Sequence, residues 1–285
     1  MNRREFIQVI PFSLEALRRF LNRKFSFATF DYLRPRSVLI NPGHNKDSVK
    51  YGSARFIEGI GYEHVLNASI SEKIRSSLQE QGVEAFQTMN QEDYRAQIIE
   101  YKEKNNEQLK VLINNFHKKH PEINNHMPLE EALTQLSIVQ WAEANGFELA
   151  LHIHINDVLE NVRKFYSGFS VITSPRNLSS EKSNSLAQAI YNQLITYFSP
   201  SNNKNESSLS GIGKSKKYVP GLMKEDFLVL GNELYATSLP SVIVECGFLS
   251  EKYKGGLTIV DQDIQALYAA RISQGVLDYL RSQKA

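Results

Sequence analysis

The stretch Ser37-Val38-Leu39-Ile40-Asn41-Pro42-Gly43-His44 decides how this chain reads. Its first four residues are rich in β-branched and aliphatic side chains and read as a buried strand. Asn41, Pro42 and Gly43 cannot continue a central strand, and a lone histidine follows at once. The strand therefore ends by delivering His44 to a rim. In open α/β sheets the carboxyl ends of strands are where ligands bind, because there the backbone stops pairing with itself. A surface histidine in a tight turn gives the same tripeptide, so other stretches must decide between the two readings.

Two later strands end in the same way. Residues 148–157 read ELALHIHIND and close on His154, Asn156 and Asp157; residues 241–250 read SVIVECGFLS and close on Glu245 and Gly247. Taken together, these motifs resemble the zinc-dependent N-acetylmuramoyl-L-alanine amidases of the type-3 family. That family carries a PGH strand end, an E-x-x-x-N helix start, an S-I-H-x-N strand and a V-E-x-G-F-L-S strand. Here they are Pro42-Gly43-His44, Glu63 with Asn67, Ile153-His154 with Asn156, and Val244-Glu245 with residues 247–250, in the same order. The resemblance covers about residues 37–282. Four motifs in order are far more specific than one.

The resemblance implies a single α/β domain with a mixed, mostly parallel sheet flanked by helices on both faces. It also implies a zinc ion held by His44, Glu63 and His154, with Glu245 as the catalytic base. Two imidazoles and a carboxylate are a known catalytic zinc set with one position left for water, and a carboxylate near the metal can accept the water proton and return it to the leaving nitrogen. The implied substrate is peptidoglycan, cut between the lactyl group of N-acetylmuramic acid and L-alanine. The same resemblance implies a cell-envelope or periplasmic location, with a cytoplasmic one as the alternative because no export signal is read. Another zinc amidohydrolase or carboxypeptidase acting on a small amide is the alternative enzyme, and a non-catalytic peptidoglycan-binding regulator is the alternative from another class.

Composition sets the outer limits. With 285 residues, 41% hydrophobic and 22% charged, the chain is long enough for one large core, and one domain with insertions is expected. A net charge of +2 argues against a nucleic-acid partner. No run of 18 apolar residues occurs, so no transmembrane segment is expected, and the protein is read as a monomer. Cys246, the sole cysteine, excludes an intrachain disulfide. Alternation points it away from Glu245, as a buried structural thiol.

Residues 1–36 read as an N-terminal helical extension ahead of a catalytic domain spanning 37–285. Asn2-Arg3-Arg4 is followed by Glu15, Arg18 and Arg19 where an export signal needs an uncharged apolar run, so no signal is read. Phe12, Leu14, Leu17, Phe20 and Leu21 have the spacing of an amphipathic helix that packs on the domain, with a membrane surface as the alternative. Beyond His44, Val65, Leu66, Ile70, Ile74 and Leu78 give a helix that Gly82 stops, with Glu63 in its first turn and His64 as a surface residue.

Residues 83–89 read as a short strand. Where the family has T-R-x-x-D, this chain has Thr88-Met89-Asn90-Gln91-Glu92-Asp93, so the arginine is missing. Amphipathic helices over residues 92–117 and 129–145 follow, and about 102–128 reads as an inserted helical hairpin. Its tip, His117 to Glu122, concentrates groups suited to a lid over the zinc groove, with a solvated helix end as the bland reading. His152 and His154 share one strand face. His154 has the asparagine two residues on that the motif requires, so His152 reads as a neighbour of the ligand or a substrate contact, and an exchange of their roles is the alternative. Strands are expected at 168–173, 227–231 and 242–244, helices at 183–198 and 257–280, and a mobile loop at 199–218.

Overall fold

In the computed structural model of the protein, the described residues are 36–50, 56–57, 61–90, 92–119, 128–156, 167–202, 220–225, 227–231, 238–249 and 259–283. The chain divides into two units, Met1–Arg34 and Pro35–Ala285, and every described residue belongs to the second. The N-terminal helix, the hairpin tip from His120 to Glu122, and all but residues 199–202 of the 199–218 loop lie outside the described residues.

The elements run β1 (Ser37–Pro42), α1 (Lys46–Lys50), β2 (Phe56–Ile57), β3 (Gly61–Tyr62), α2 (Glu63–Glu80), β4 (Glu84–Gln87), β5 (Met89–Asn90) and β6 (Asp93–Tyr94). Then come α3 (Ala96–Lys119), α4 (Leu129–Ala144), β7 (Leu149–Asn156), β8 (Ser170–Thr173), α5 (Ser180–Leu194), β9 (Leu222–Lys224), β10 (Ser241–Phe248) and α6 (Gln262–Ser282). Six strands form one sheet in the order β4-β1-β7-β10-β8-β9. The first four are mutually parallel, and β8 runs antiparallel to β10 with β9 parallel to β8. This is the mixed, mostly parallel sheet the sequence implied.

Alternation splits the strands between two layers. Val38, Ile40, Leu151, Ile153, Val242, Val244 and Cys246 pack against Ile70 and Ile74 of α2, Leu186 and Ile190 of α5, and Ile272 and Val276 of α6. The Cys246 thiol is fully buried there, on the face opposite Glu245, and burial, with the Glu245 charge behind it, pushes its pKa up. On the other face Leu39 and Ala150 pack against Ile98 of α3 and Ile138 and Ala142 of α4. Helices α3 and α4 close on each other through Leu109, Ile113 and Phe116 against Ala132, Leu133 and Leu136.

Three local expectations change. Residues 227–231 form no strand: Leu228–Leu230 is a single 3-10 turn. Val229 and Leu230 plug the core beside Ile172, Met223 and Ile243, and the Leu230 carbonyl accepts from Asn177 Nδ2, so this apolar run fills space without entering the ladder. Helix α3 begins at Ala96, because Asp93 and Tyr94 pair with Met89 and Asn90 in a small hairpin. In α2 the buried arc runs through Glu63, His64, Leu66, Asn67, Ile70, Ser71, Ile74 and Leu78. Val65 falls outside that arc and is 45% exposed, whereas His64 is 2% exposed and lies against Tyr62, with burial pushing its pKa down. A residue next to the anchor of a buried arc is only about 100° from it, and the tight seating of the first turn buries both.

Candidate metal and catalytic site

The site forms where β1, β7 and β10 end. Register puts Asn41 beside His152, Pro42 beside Ile153, and Glu245 of β10 beside His154. The Gly43 amide donates to the Ile153 carbonyl at 2.7 Å, which carries the ladder one residue past the end of β1. Gly43, His154 and Glu245 therefore form one cross-strand row on the face covered by α3 and α4. Asn41, His152 and Ile243 form the row behind it.

Each motif residue has a local reason. A Cβ on Gly43 would collide with the His154 imidazole, so glycine is required here for close approach rather than for an unusual φ. His44 has φ 60°, the one positive φ at a non-glycine residue among those described, so the chain turns through the left-handed region as it leaves the strand. Asn67 Nδ2 donates to the Gly43 carbonyl at 2.9 Å and to Glu63 Oε1 at 3.3 Å. One turn of α2 separates the two residues, so the E-x-x-x-N spacing lets a single amide fix both the carboxylate and the turn that carries His44.

His44 Nε2 lies 3.5 Å and His154 Nδ1 3.8 Å from Glu63 Oε1, and the imidazoles meet edge to face with centroids 5.1 Å apart. One donor atom from each of His44, Glu63 and His154 falls within a group whose members all lie within 4.8 Å of one another. Four-coordinate zinc with bonds of about 2.1 Å needs donor atoms about 3.4 Å apart, and the 3.5 and 3.8 Å separations of the two imidazoles from Glu63 are near that spacing. Burial pushes the Glu63 carboxyl up, but the neighbouring His154 and His44 and the Asn67 amide outweigh it and hold the group ionised, below the usual carboxylate range.

His152 stands apart from this trio. Its Nδ1 is 3.1 Å from Asn41 Nδ2, and Asn41 Oδ1 accepts from Thr88 Oγ1 at 2.7 Å. The ring is fully buried, and burial together with the His154 charge pushes its pKa down to about 3, so it is neutral. The chain Thr88-Asn41-His152 is a polar floor beneath the His154 row, and sequence reading identified none of its bonds. Thr88 had stood out only as the start of the altered T-R-x-x-D motif. The next arginine, Arg95, follows the β5-β6 hairpin, donates from Nε to the Gln87 carbonyl at 2.7 Å and stacks over Phe86. Glu131 of α4, which the motifs did not flag either, places Oε1 3.8 Å from His44 Nδ1.

A mixed sheet of the α/β class that carries two imidazoles and the Glu245 carboxylate at the ends of its parallel strands, with Glu63 brought to them by α2, has the residue types that a metal-dependent hydrolase uses. The sequence matches the N-acetylmuramoyl-L-alanine amidase family over residues 38–278, and the chain belongs to that family of cell-wall hydrolases. No individually curated protein matches it by sequence. Among solved structures, it is similar to the N-acetylmuramoyl-L-alanine amidase AmiC2 of Nostoc punctiforme, with 19% identity, 86% of this chain and 97% of that one covered, and a TM-score of 0.53. The amidase from Clostridium difficile 630 matches at 19% identity over 88% of this chain and 100% of that one, with a TM-score of 0.54. Ami1 from Mycobacterium smegmatis matches at 17% over 87% and 98%, with a TM-score of 0.56. At these identities the structural likeness establishes the fold.

Proposed function

We propose that the protein is a zinc-dependent amidase that cleaves the bond between the lactyl group of N-acetylmuramic acid and L-alanine in peptidoglycan, acting in the cell envelope. The observation that carries this reading is the convergence of His44, Glu63 and His154 on one point at the strand ends of an amidase-family fold. His44, Glu63 and His154 hold the ion. When bound, zinc supplies Lewis-acid polarisation of the scissile carbonyl and makes water acidic enough to act near neutral pH.

The chain's own residues carry out the rest. Glu245 is in register with His154, about 4.8 Å away across neighbouring strands and on the same face, and is the proton carrier. It takes the proton of the attacking water and hands it to the nitrogen of L-alanine as the amide bond breaks. Asn67 holds Glu63 and the His44 turn in place, and the Thr88-Asn41-His152 floor fixes the level of the His154 row. The test is release of free L-alanine amino termini from purified sacculi, with chelator and then with zinc restored. Release that is abolished by chelator and recovered with zinc is the expected result. Release indifferent to chelator would overturn the metal, and cleavage of small amides with no release from sacculi would overturn the substrate.

A further inference from the structure

The two ring nitrogens of His44 point at different carboxylates. Nε2 lies 3.5 Å from Glu63 Oε1, on the side where the three donor residues converge, and Nδ1 lies 3.8 Å from Glu131 Oε1. A neutral imidazole that offers Nε2 as a ligand must carry its proton on Nδ1. That Nδ1 is buried and has no hydrogen-bond partner among the described residues. We propose that Glu131, in the first turn of α4, is a positioning residue: its carboxylate receives the Nδ1–H of His44, fixing the tautomer and aiming Nε2 at Glu63 and His154.

Several observations support this role. Glu131 is 8% exposed, so its carboxylate is held inside the fold beside the His44 turn and is not free to swing into solvent. Ser48 Oγ donates to the same Oε1 at 3.4 Å and accepts from the Asn45 backbone N–H at 3.2 Å, while Asn45 Oδ1 accepts from the Ser48 backbone N–H, so Glu131 is tied to the chain that leaves His44. The backbone of His44 itself is in the left-handed region, a turn that its surroundings must hold. Packing of α4 on α3 makes the support rigid. Histidine ligands hold a metal more tightly when a carboxylate accepts from the far nitrogen, because the ring is oriented and made more basic. The geometry also separates this role from direct ligation: the mutual 4.8 Å group contains His44, Glu63 and His154 but not Glu131.

This inference rests on the reading of the trio as a metal site, and the experiment separates the two. Zinc affinity is measured by competition with a chromophoric chelator for the full chain and for Glu131→Gln and Glu131→Ala, alongside visible spectra of the cobalt(II)-substituted proteins and thermal melts of the zinc-free proteins. The expected result is an order of wild type, then Gln, then Ala, with Ala weaker by about 10- to 100-fold, a displaced cobalt spectrum and unchanged metal-free melts. Gln retains an acceptor oxygen, so its partial rescue distinguishes positioning from mere packing, and it decides alone if the Ala variant does not fold. Zinc affinity within twofold of wild type in the folded variants would overturn the role of Glu131 and leave the metal reading standing. Turnover that rises in Glu131→Ala at equal zinc content would show an occluding carboxylate and overturn it too. A wild-type chain that binds no zinc would remove both.

Discussion

The two faces of one sheet share strands and differ in everything that alternation sends to each side. On the face covered by α2, α5 and α6, Val38, Ile40, Leu151, Ile153, Val242 and Val244 are apolar from end to end. The face covered by α3 and α4 changes along its length, from Leu39 and Ala150, through buried Asn41 and His152, to Gly43, His154 and Glu245 at the rim. The period of two thus lets one strand build a core and a reactive edge at once. Stability should therefore reside mainly in the first face and chemistry in the carboxyl-terminal third of the second.

The sharpest way to break that contrast is to remove a donor residue. His44→Ala, Glu63→Ala and His154→Ala should each lose zinc and, with it, several kcal/mol of transition-state stabilisation, about 1,000-fold or more in turnover. His152→Ala, one row behind, should keep stoichiometric zinc by metal analysis. The reverse pattern for the two histidines would place the site in the wrong row.

Glu245→Gln comes next. It should retain the metal and its melting temperature while turnover falls by about 10²- to 10⁴-fold, the usual range for a lost general base. Zinc loss from that variant would make Glu245 a ligand instead of a proton carrier.

Gly43→Ala tests the close approach at the rim. Its new methyl must displace the His154 ring, and a displacement on the order of 1 Å costs about 100-fold in rate. Turnover close to wild type in a folded Gly43→Ala protein would show that the ring has room to move.

The smallest effect on chemistry is expected from the apolar face. Ile74→Ala, at a fully buried position, should lower unfolding stability by about 2–5 kcal/mol and leave turnover per folded, zinc-loaded molecule unchanged. Denaturant titration beside a rate assay checks both halves. A large drop in turnover at full folding would mean that the two faces are coupled.

Much of this was legible in the sequence because it is carried by local pattern. Runs of β-branched residues marked β1, β7 and β10, and a helical ladder marked α2 up to Gly82. The Pro-Gly-His, E-x-x-x-N and I-H-x-N motifs named the three residues that the fold brings within 4.8 Å. The same local logic erred at residues 227–231, where an apolar run suits a strand or a plug equally well and only the space beside Ile172 and Ile243 selects the 3-10 turn. It erred at His64, whose burial depends on how closely the first turn of α2 seats.

By itself, then, the sequence determined the main strands β1, β7 and β10 and the face each of their residues takes, because these follow from a period of 2 and from residues that stop a strand, while the resemblance of its motifs to a known family picked out His44, Glu63, His154 and Glu245. Tertiary structure decided the partners. Asn41 meets His152 across 111 positions of chain, Thr88 completes that floor, the missing Cβ of Gly43 makes room for His154, and Glu131 comes to the far nitrogen of His44. A side-chain contact between distant segments is fixed by register and by how helices settle on a sheet, and no local pattern encodes either.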